Sequence, residues 1–328
     1  MLALALGRPL GIIDSDCDAE MPIPCDDDDL GDYFSGAEMQ NSQPSMMSGF
    51  IALCDLYRIA GRICRQIYGI DKCRDNLEPE KVAELMQSVE ALDKELLDWS
   101  NNLHPNFRSS MTTEAQISMS TVLCSHYHAL LITLHRNFLP ISSNNQHKSA
   151  TSAQRVFVSA RACINLAPSV RNTVPSSHHL AFFIQQLFSS AVILLLFAMH
   201  APKETTRPAQ CIADAEGCIG AVAAWEGTWP GARKCKELLS DLVETAKDAV
   251  SKGPAMSVGR EDTSPAPSSG HSVPNATPPT SAAQIPTRRS ESRSHRGKSS
   301  RAKSRESRAS LHRTTSPCES SLFVCSVS

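Results

Sequence analysis

The sequence predicts an all-α fold, a multi-helix bundle over residues 1–250 followed by a disordered, basic Ser/Arg-rich tail over residues 251–328. Three observations lead to this prediction. Apolar residues recur at three- and four-residue steps in a series of long segments, as on one face of a helix. Alternating patterns typical of strands are nearly absent. After Gly253 the composition changes to Ser, Pro, Thr and Arg, which cannot bury enough apolar surface to offset the entropy of ordering.

Residues 49–68 predict the first long helix, which stops at Gly69. Its apolar stripe is formed by Leu53, Leu56, Ala60, Ile63 and Ile67. Residues 79–99 predict the second helix, and Pro79 suits its first position. Here the apolar residues follow a heptad pattern: Val82, Leu85, Val89, Leu92, Leu96 and Trp99. Because this run covers fewer than three heptads, we favour a helix packed within its own domain over the alternative, a coiled-coil homodimer.

The remaining segments predict five further helices: 114–139, 151–167 (ended by Pro168), 180–199, 209–225 and 233–250. The segment 180–199 has no charged residue and is long enough to cross a bilayer. Polar residues lie near its centre (Gln185, Gln186, Ser189 and Ser190), and no basic cluster lies close by. We therefore favour a central core helix wrapped by amphipathic neighbours, with a membrane-associated protein as the alternative.

The N-terminal segment combines a short apolar run with eight acidic residues between Asp14 and Asp29. No basic residue precedes Arg8, which ends the apolar run early, so the pattern does not fit a secretory signal. The spacing of Asp14, Asp16 and Asp18 fits the start of a calcium loop, but Ala19 and Cys25 stand where Gly and Glu are needed. We therefore expect a solvated acidic loop.

The charge is divided between an acidic body and a basic tail. Residues 1–285 hold 22 Lys plus Arg against 31 Asp plus Glu, whereas residues 286–313 hold 10 against 2. Clustered basic residues can bind phosphates or an import receptor. The candidates are Arg288, Arg289, Arg293, Arg296, Lys298, Arg301, Lys303, Arg305 and Arg308. The alternatives are a solubilising tail without a partner and a tail that binds RNA or splicing partners.

No residue pattern indicates a catalytic, cofactor or metal site. The 12 cysteines form no C-x2-C pair, which indicates a reduced, intracellular protein without a zinc clamp. Phosphate-binding, dinucleotide-binding and nucleophile-elbow motifs are absent from the sequence. The predicted helix 114–139 carries His126, His128 and His135, whose spacing does not suit a metal. We expect them to be partly buried and bonded to neighbouring helices.

Four segments, in order, resemble the regulatory middle homology domain of fungal six-cysteine zinc-cluster transcription factors, a family that includes the xylanolytic activators and the yeast galactose activator. They are LALALGRPLGIIDSDCDAEMP (2–22), LDKELLDWSNNLHP (92–105), SHYHALLITLHRNFL (125–139) and LAFFIQQLFSSAVILLL (180–196). In the family a helix ends in Gly-Arg-Pro-Leu before an Asp-rich loop, and a later helix ends in Leu-His-Arg-Pro-Phe-Leu. Asn137 stands here in place of that proline. The matching positions are Gly7, Arg8, Pro9, Asp16, Asp18, His135 and Arg136.

This resemblance implies a nuclear, non-enzymatic regulator of transcription by RNA polymerase II, with co-regulators and an import receptor as partners. It also implies that Met1 lies partway through the domain, which would lack its N-terminal helices. The family's zinc and DNA contacts belong to a six-cysteine module that does not occur in this sequence, so we assign neither to any residue. The sequence identifies no effector and no target genes.

Overall fold

Helices form every regular element in the part of the chain that the structure describes. The structure is a computed structural model, and it describes residues 2–12, 14–37, 44–69, 77–140, 149–200 and 208–252. The helices are α1 (Leu2–Leu6), α2 (Leu30–Ser35), α3 (Met46–Gln66), α4 (Pro79–Asn102), α5 (Pro105–Arg108), α6 (Glu114–His135), α7 (Ala150–Asn165), α8 (Ala167–Thr173), α9 (His178–His200), α10 (Pro208–Ala223) and α11 (Pro230–Lys252). Three short 3-10 helices cover Asp14–Asp16, Asp27–Asp29 and Arg136–Phe138. The predicted all-α fold is confirmed.

The basic tail lies almost wholly outside the described residues. Ser251 and Lys252 belong to α11, two residues beyond the predicted helix end. All nine candidate import or phosphate-binding residues, from Arg288 to Arg308, lie outside the described residues. Their role and the predicted disorder of residues 251–328 therefore stay predictions.

The long helices begin where the local chemistry satisfies free backbone N–H groups. Ser45 accepts a hydrogen bond from the Ser48 N–H at the start of α3. Thr113 and Gln116 form a reciprocal capping box at the start of α6. The prediction that Pro168 ends a helix is wrong in part, because α7 already ends at Asn165 and Pro168 lies in the first turn of α8. A proline lacks only an N–H that a first turn leaves unused, so it fits that position.

The first hydrophobic core joins α3, α4 and α6. Leu56 and Ile63 of α3, Val89 and Leu96 of α4, and Leu134 of α6 are each at most 2% exposed. The heptad positions of α4 therefore pack inside their own domain, as predicted.

The second core surrounds α9, which packs against α7, α10 and α11. Within the described chain, Glu114–Phe138 and His179–His200 are long and apolar enough to cross a membrane, but 67% and 61% of those windows are buried in the bundle. Burial against other helices accounts for their composition. Because α6 contacts α3 and α4 on one side and α7 and α8 on the other, it links the two cores.

Candidate functional site

The Gly-Arg-Pro segment forms the turn that ends α1. Gly7 adopts a left-handed conformation with φ of +61°, which a residue with a side chain rarely adopts. The Arg8 N–H then donates to the Ala3 carbonyl at 3.0 Å, the bond that closes a Schellman motif. This turn brings Arg8, Pro9 and Leu10 over the end of α3, beside the 3-10 turn that follows α6.

A cleft of about 590 Å³ lies between these segments. We call it the arginine cleft, because Arg8, Arg65 and Arg136 line it and none of its described lining residues is acidic. Its other lining residues are Ala3, Leu4, Gly7, Pro9, Leu10, Cys64, Tyr68 and Gly69. Two of the segments that resemble the zinc-cluster family, distant in sequence, thus meet at one cavity.

Tyr68 holds Arg136 in place at the cleft. The Arg136 Nε–H donates to the Tyr68 hydroxyl at 2.8 Å, and that hydroxyl donates to the Thr133 carbonyl at 2.6 Å. The guanidinium also lies 5.3 Å from the centroid of the Tyr68 ring, within cation–π range. Arg65 instead pairs with Asp14 at 3.0 Å in an exposed ion pair of small energetic value.

His135 has a different role, because it lies inside the protein and bonds to two neighbouring helices. Its Nε2 lies 3.0 Å from Oδ1 of Asp93 on α4, and its Nδ1 lies 3.0 Å from the Ser152 hydroxyl on α7. Since a carboxylate can only accept, Nε2 carries the hydrogen. Arg155 bonds the other Asp93 oxygen at 2.9 Å. Burial raises the pKa of Asp93, but the His135 hydrogen bond and the Arg155 charge outweigh it and hold that pKa below its usual value.

The Asp93–His135–Ser152 arrangement has the residue types of a hydrolase triad but not its working geometry. In such triads Nε2 faces the serine and Nδ1 faces the aspartate, whereas here the ring is reversed. Ser152 is also only 2% exposed, so no substrate can reach its hydroxyl. The arrangement therefore serves to tie α4, α6 and α7 together.

A second polar cluster surrounds His126 of α6, which is 3% exposed. Its Nε2 lies 3.3 Å from the Tyr57 hydroxyl and 3.2 Å from Nδ1 of His179, and its Nδ1 accepts from the Gln186 amide at 3.3 Å. Burial, with a smaller effect of the nearby His179, lowers the pKa of His126 to about 3, so the ring is neutral. The cluster lies at a smaller cavity of about 90 Å³ between α6 and α9.

This smaller cavity adjoins the arginine cleft, since Leu4 and Arg136 line both. Gln185, Gln186, Ser189 and Thr133 make much of its wall polar. The Gln186 side chain is only 9% exposed, and its Oε1 is buried without a hydrogen-bond partner. A buried acceptor of this kind is costly unless a donor satisfies it.

The predicted hydrogen bonds of the three histidines hold for two of them. His126 and His135 bond to neighbouring helices, although both are fully rather than partly buried. The prediction is wrong for His128, which is 3% exposed and has no hydrogen-bond partner for either ring nitrogen. Its ring packs against Tyr127, with centroids 5.1 Å apart. Burial lowers the pKa of His128 to about 4.

Asp16 and Asp18 are exposed and do not line the arginine cleft. The predicted solvated acidic loop is confirmed for these residues. Within the described ranges, no three His, Cys, Asp or Glu side chains are grouped so that they could hold a metal ion.

The sequence patterns did not identify Asp93, Tyr68 or Gln186 as residues of a site. One signal for Gln186 was present in the sequence, since Gln185 and Gln186 interrupt an otherwise apolar helix and therefore indicate a polar neighbour. For Asp93 the signal was its position beside Leu92 of the apolar stripe. A carboxylate that is partly buried there needs a hydrogen-bonding or charged partner.

Residues 1–101 match the family model described as Fungal specific transcription factor domain. This segment is thus similar to a fungal specific transcription factor domain. The resemblance inferred from the motifs is thereby confirmed, and the matched segment contains α1 to α4, with Arg8 and Arg65 of the arginine cleft. Arg136 and the second core lie beyond residue 101.

Two curated fungal proteins are similar to this chain. An uncharacterized transcriptional regulatory protein of Schizosaccharomyces pombe is 26% identical over 210 residues, which cover 62% of this chain and 24% of that protein. An ABC-transporter-regulating transcription factor of Aspergillus fumigatus is 24% identical over 213 residues, which cover 60% of this chain and 23% of that protein. The matched region thus spans about a quarter of the length of these relatives. No solved structure matches the chain.

Proposed function

We propose that this chain is the regulatory part of a fungal transcription factor that controls transcription by RNA polymerase II. The observation that carries the proposal is the fungal specific transcription factor domain over residues 1–101. The two curated relatives, both described as transcriptional regulators, support it. The comparisons favour neither of the alternatives, an RNA-binding or splicing interaction protein and a membrane-associated protein.

We propose further that the regulatory domain extends over residues 1–250. The packing supports this boundary, because the matched segment does not complete its own core. Leu85 and Leu96 of α4 share a hydrophobic cluster with Leu130 and Leu134 of α6, which lie beyond the matched segment. The α6 helix in turn joins the core around α9.

In this proposal the protein acts in the nucleus without catalysing a reaction. Contact with DNA and the family's zinc belong to a six-cysteine module outside this sequence, and co-regulators are the partners of the helical domain. The basic segment 286–313 serves as the import signal, because clustered Arg and Lys suit an import receptor. That the chain forms a homodimer also stays a proposal. The heptad face of α4 is excluded as the dimer interface, because that face is buried within the bundle.

A reporter experiment tests the regulatory function. The chain is inserted between a heterologous DNA-binding domain and an activation domain, and reporter output is compared with that of the two domains joined directly. We expect the inserted chain to change the output, and we expect Leu96→Asp, which places a charge in the first core, to remove that change. Leu97→Asp is the matched control, since Leu97 is 40% exposed on the same helix. An output that the chain leaves unchanged would contradict the proposal.

A localisation experiment tests the tail. A fluorescent fusion of the full chain is compared with one that lacks residues 286–313. We expect the deletion to shift fluorescence from the nucleus to the cytoplasm while the reporter effect, measured with a separate import signal supplied, persists. Loss of the reporter effect despite that signal would instead favour a tail that binds a functional partner such as RNA.

A further inference from the structure

We propose that the arginine cleft binds a small organic anion, a molecule with an apolar body and a carboxylate or phosphate head. As a site for an effector of transcription, this inference rests on the proposed function. As a binding site, it depends only on the charge, shape and lining of the cleft.

The charge of the cleft is opposite to that of the protein body. Residues 1–285 hold 31 acidic against 22 basic residues, yet the residues that the structure describes in the cleft lining include three arginines and no acid. Among the described residues Arg8 makes no ion pair, whereas Arg65 pairs with Asp14, which lines an adjoining pocket. Three cations gathered at one concave site favour an anion there.

Arg136 is already oriented for such a ligand. Its Nε–H is used by the Tyr68 hydroxyl, and its ring contact with Tyr68 fixes the plane of the guanidinium. No other described residue bonds its two Nη groups. A held guanidinium with free N–H groups matches the two oxygens of a carboxylate or phosphate, and a lysine would not offer that fork.

The rest of the lining indicates an organic body rather than a bare ion. Leu4, Pro9, Leu10 and Tyr68 supply an apolar wall. The volume of about 590 Å³ lies within the range typical of sites for small organic molecules, roughly 300–1,000 Å³. A phosphate ion alone would leave most of that wall in contact with water.

The adjoining small cavity adds a polar end to the site. Gln186 Oε1 is buried there without a donor, and the cavity meets the cleft at Leu4 and Arg136. A ligand that extends past Arg136 and carries an N–H or O–H group would satisfy this oxygen. We therefore expect such anions to bind more tightly than anions without a donor.

The test uses a matched pair of probes, 1-naphthaleneacetate and its neutral amide, 1-naphthaleneacetamide, titrated calorimetrically into the full chain at pH 7. We expect the acid to bind about tenfold or more tightly than the amide, and we expect Arg136→Gln and Arg8→Gln each to weaken acid binding by about tenfold. Arg171→Gln is the control, because Arg171 lines a separate cleft between α8 and α10. It should leave the dissociation constant unchanged.

Three results would overturn the inference: equal binding of acid and amide, no binding of the acid at millimolar concentration, and unchanged binding in Arg8→Gln. Arg8→Gln keeps the test decisive if Arg136→Gln fails to fold, since the exposed Arg8 side chain makes no described contact that holds the fold. The reporter separates the two proposals. If the acid binds but the chain does not change reporter output, the binding site stands and the proposed function is contradicted. If the chain changes reporter output but the acid does not bind, only the binding site is contradicted.

Discussion

Asp93 is the residue at which polar side chains from three helices meet. Its side chain is 17% exposed and accepts from both His135 and Arg155. Removing it leaves the buried His135 Nε2–H, and the partly exposed Arg155, without this acceptor. Breaking one side of a buried charged pair is far more costly than breaking a surface pair. The lowered pKa of Asp93 also means that its contribution is present above about pH 4 and is lost as the pH falls through that lowered pKa.

We predict that Asp93→Ala lowers the free energy of unfolding by about 3 kcal/mol. Asp55→Ala is the control, because Asp55 is 48% exposed and, among the described residues, forms an ion pair only with Arg58 one helical turn away. We expect a loss of at most about 0.5 kcal/mol for this variant. Urea unfolding at pH 7 measures both. Equal losses in the two variants would show that the Asp93 network does not tie the helices together.

We expect buried neutral histidines to make the protein less stable in mild acid. Burial lowers the pKa of His126 to about 3, and those of His128 and His179 to about 4, whereas the unfolded chain takes up these protons near pH 6.5. The unfolded state therefore binds more protons below pH 6.5, and stability falls as the pH falls from there towards 4. Each such histidine contributes a slope of about 1.4 kcal/mol per pH unit.

We predict that His128→Leu raises the free energy of unfolding at pH 7 by about 1 kcal/mol, because it removes two buried nitrogens that have no partner. It should also reduce the stability lost between pH 7 and pH 5. Urea unfolding at both pH values gives the two quantities. His200→Gln, at the exposed end of α9, should alter neither. A His128 variant with an unchanged pH dependence would mean that this ring takes up its proton at the same pH in the folded and unfolded states.

At the scale of the helices, close packing and helix propensity oppose each other at Gly49. A methyl group at Gly49 of α3 would lie 2.6 Å from the Met119 Cγ of α6, whereas one at Gly217 of α10 would meet nothing within 4 Å. We predict that Gly217→Ala raises the free energy of unfolding by about 0.5–1 kcal/mol through helix propensity. Gly49→Ala should lower it by about 1 kcal/mol or more, because overpacking outweighs the gain. Thermal unfolding of the two variants measures the difference, and a stabilised Gly49 variant would mean that Met119 can move aside.

The sequence predicted the long helices well and the short ones poorly. Helices such as α4 and α11 repeat their apolar positions over several turns, so the period identifies them within a few residues. The four-residue α5 and five-residue α1 are too short to display a period. Pro168 misled the prediction of α7 because a proline is equally compatible with the residue after one helix and the first turn of the next.

At the scale of the whole molecule, the segment that matches the family shares its hydrophobic core with helices that lie beyond it. The buried face of α4 rests on α6, so a chain ending at residue 101 would expose Leu85, Val89 and Leu96 to water. We predict that residues 1–101 alone show little helix by circular dichroism and no cooperative melting, whereas residues 1–252 melt in one cooperative transition. A folded 1–101 fragment would argue for two independent domains.

The candidate site was only partly predictable, because the residues that form it lie far apart in the sequence. The motifs containing Arg8 and Arg136 were visible because each resembles a family segment, but nothing local says that they line one cavity. That proximity depends on how α1, α3 and α6 pack. His135 was visible for the same reason, yet its partners Asp93 and Ser152 lie on other helices, and helix packing rather than sequence spacing selects them.

The placement of α9 has a consequence for biosynthesis. This helix emerges from the ribosome before α10 and α11, two of the helices that pack against it, have emerged. Synthesis at about 5–20 residues per second leaves its apolar surface uncovered for several seconds. During that interval we expect the uncovered apolar surface of α9 to be a binding site for a chaperone. The yield of native protein should therefore depend on chaperone supply more strongly than its final stability suggests.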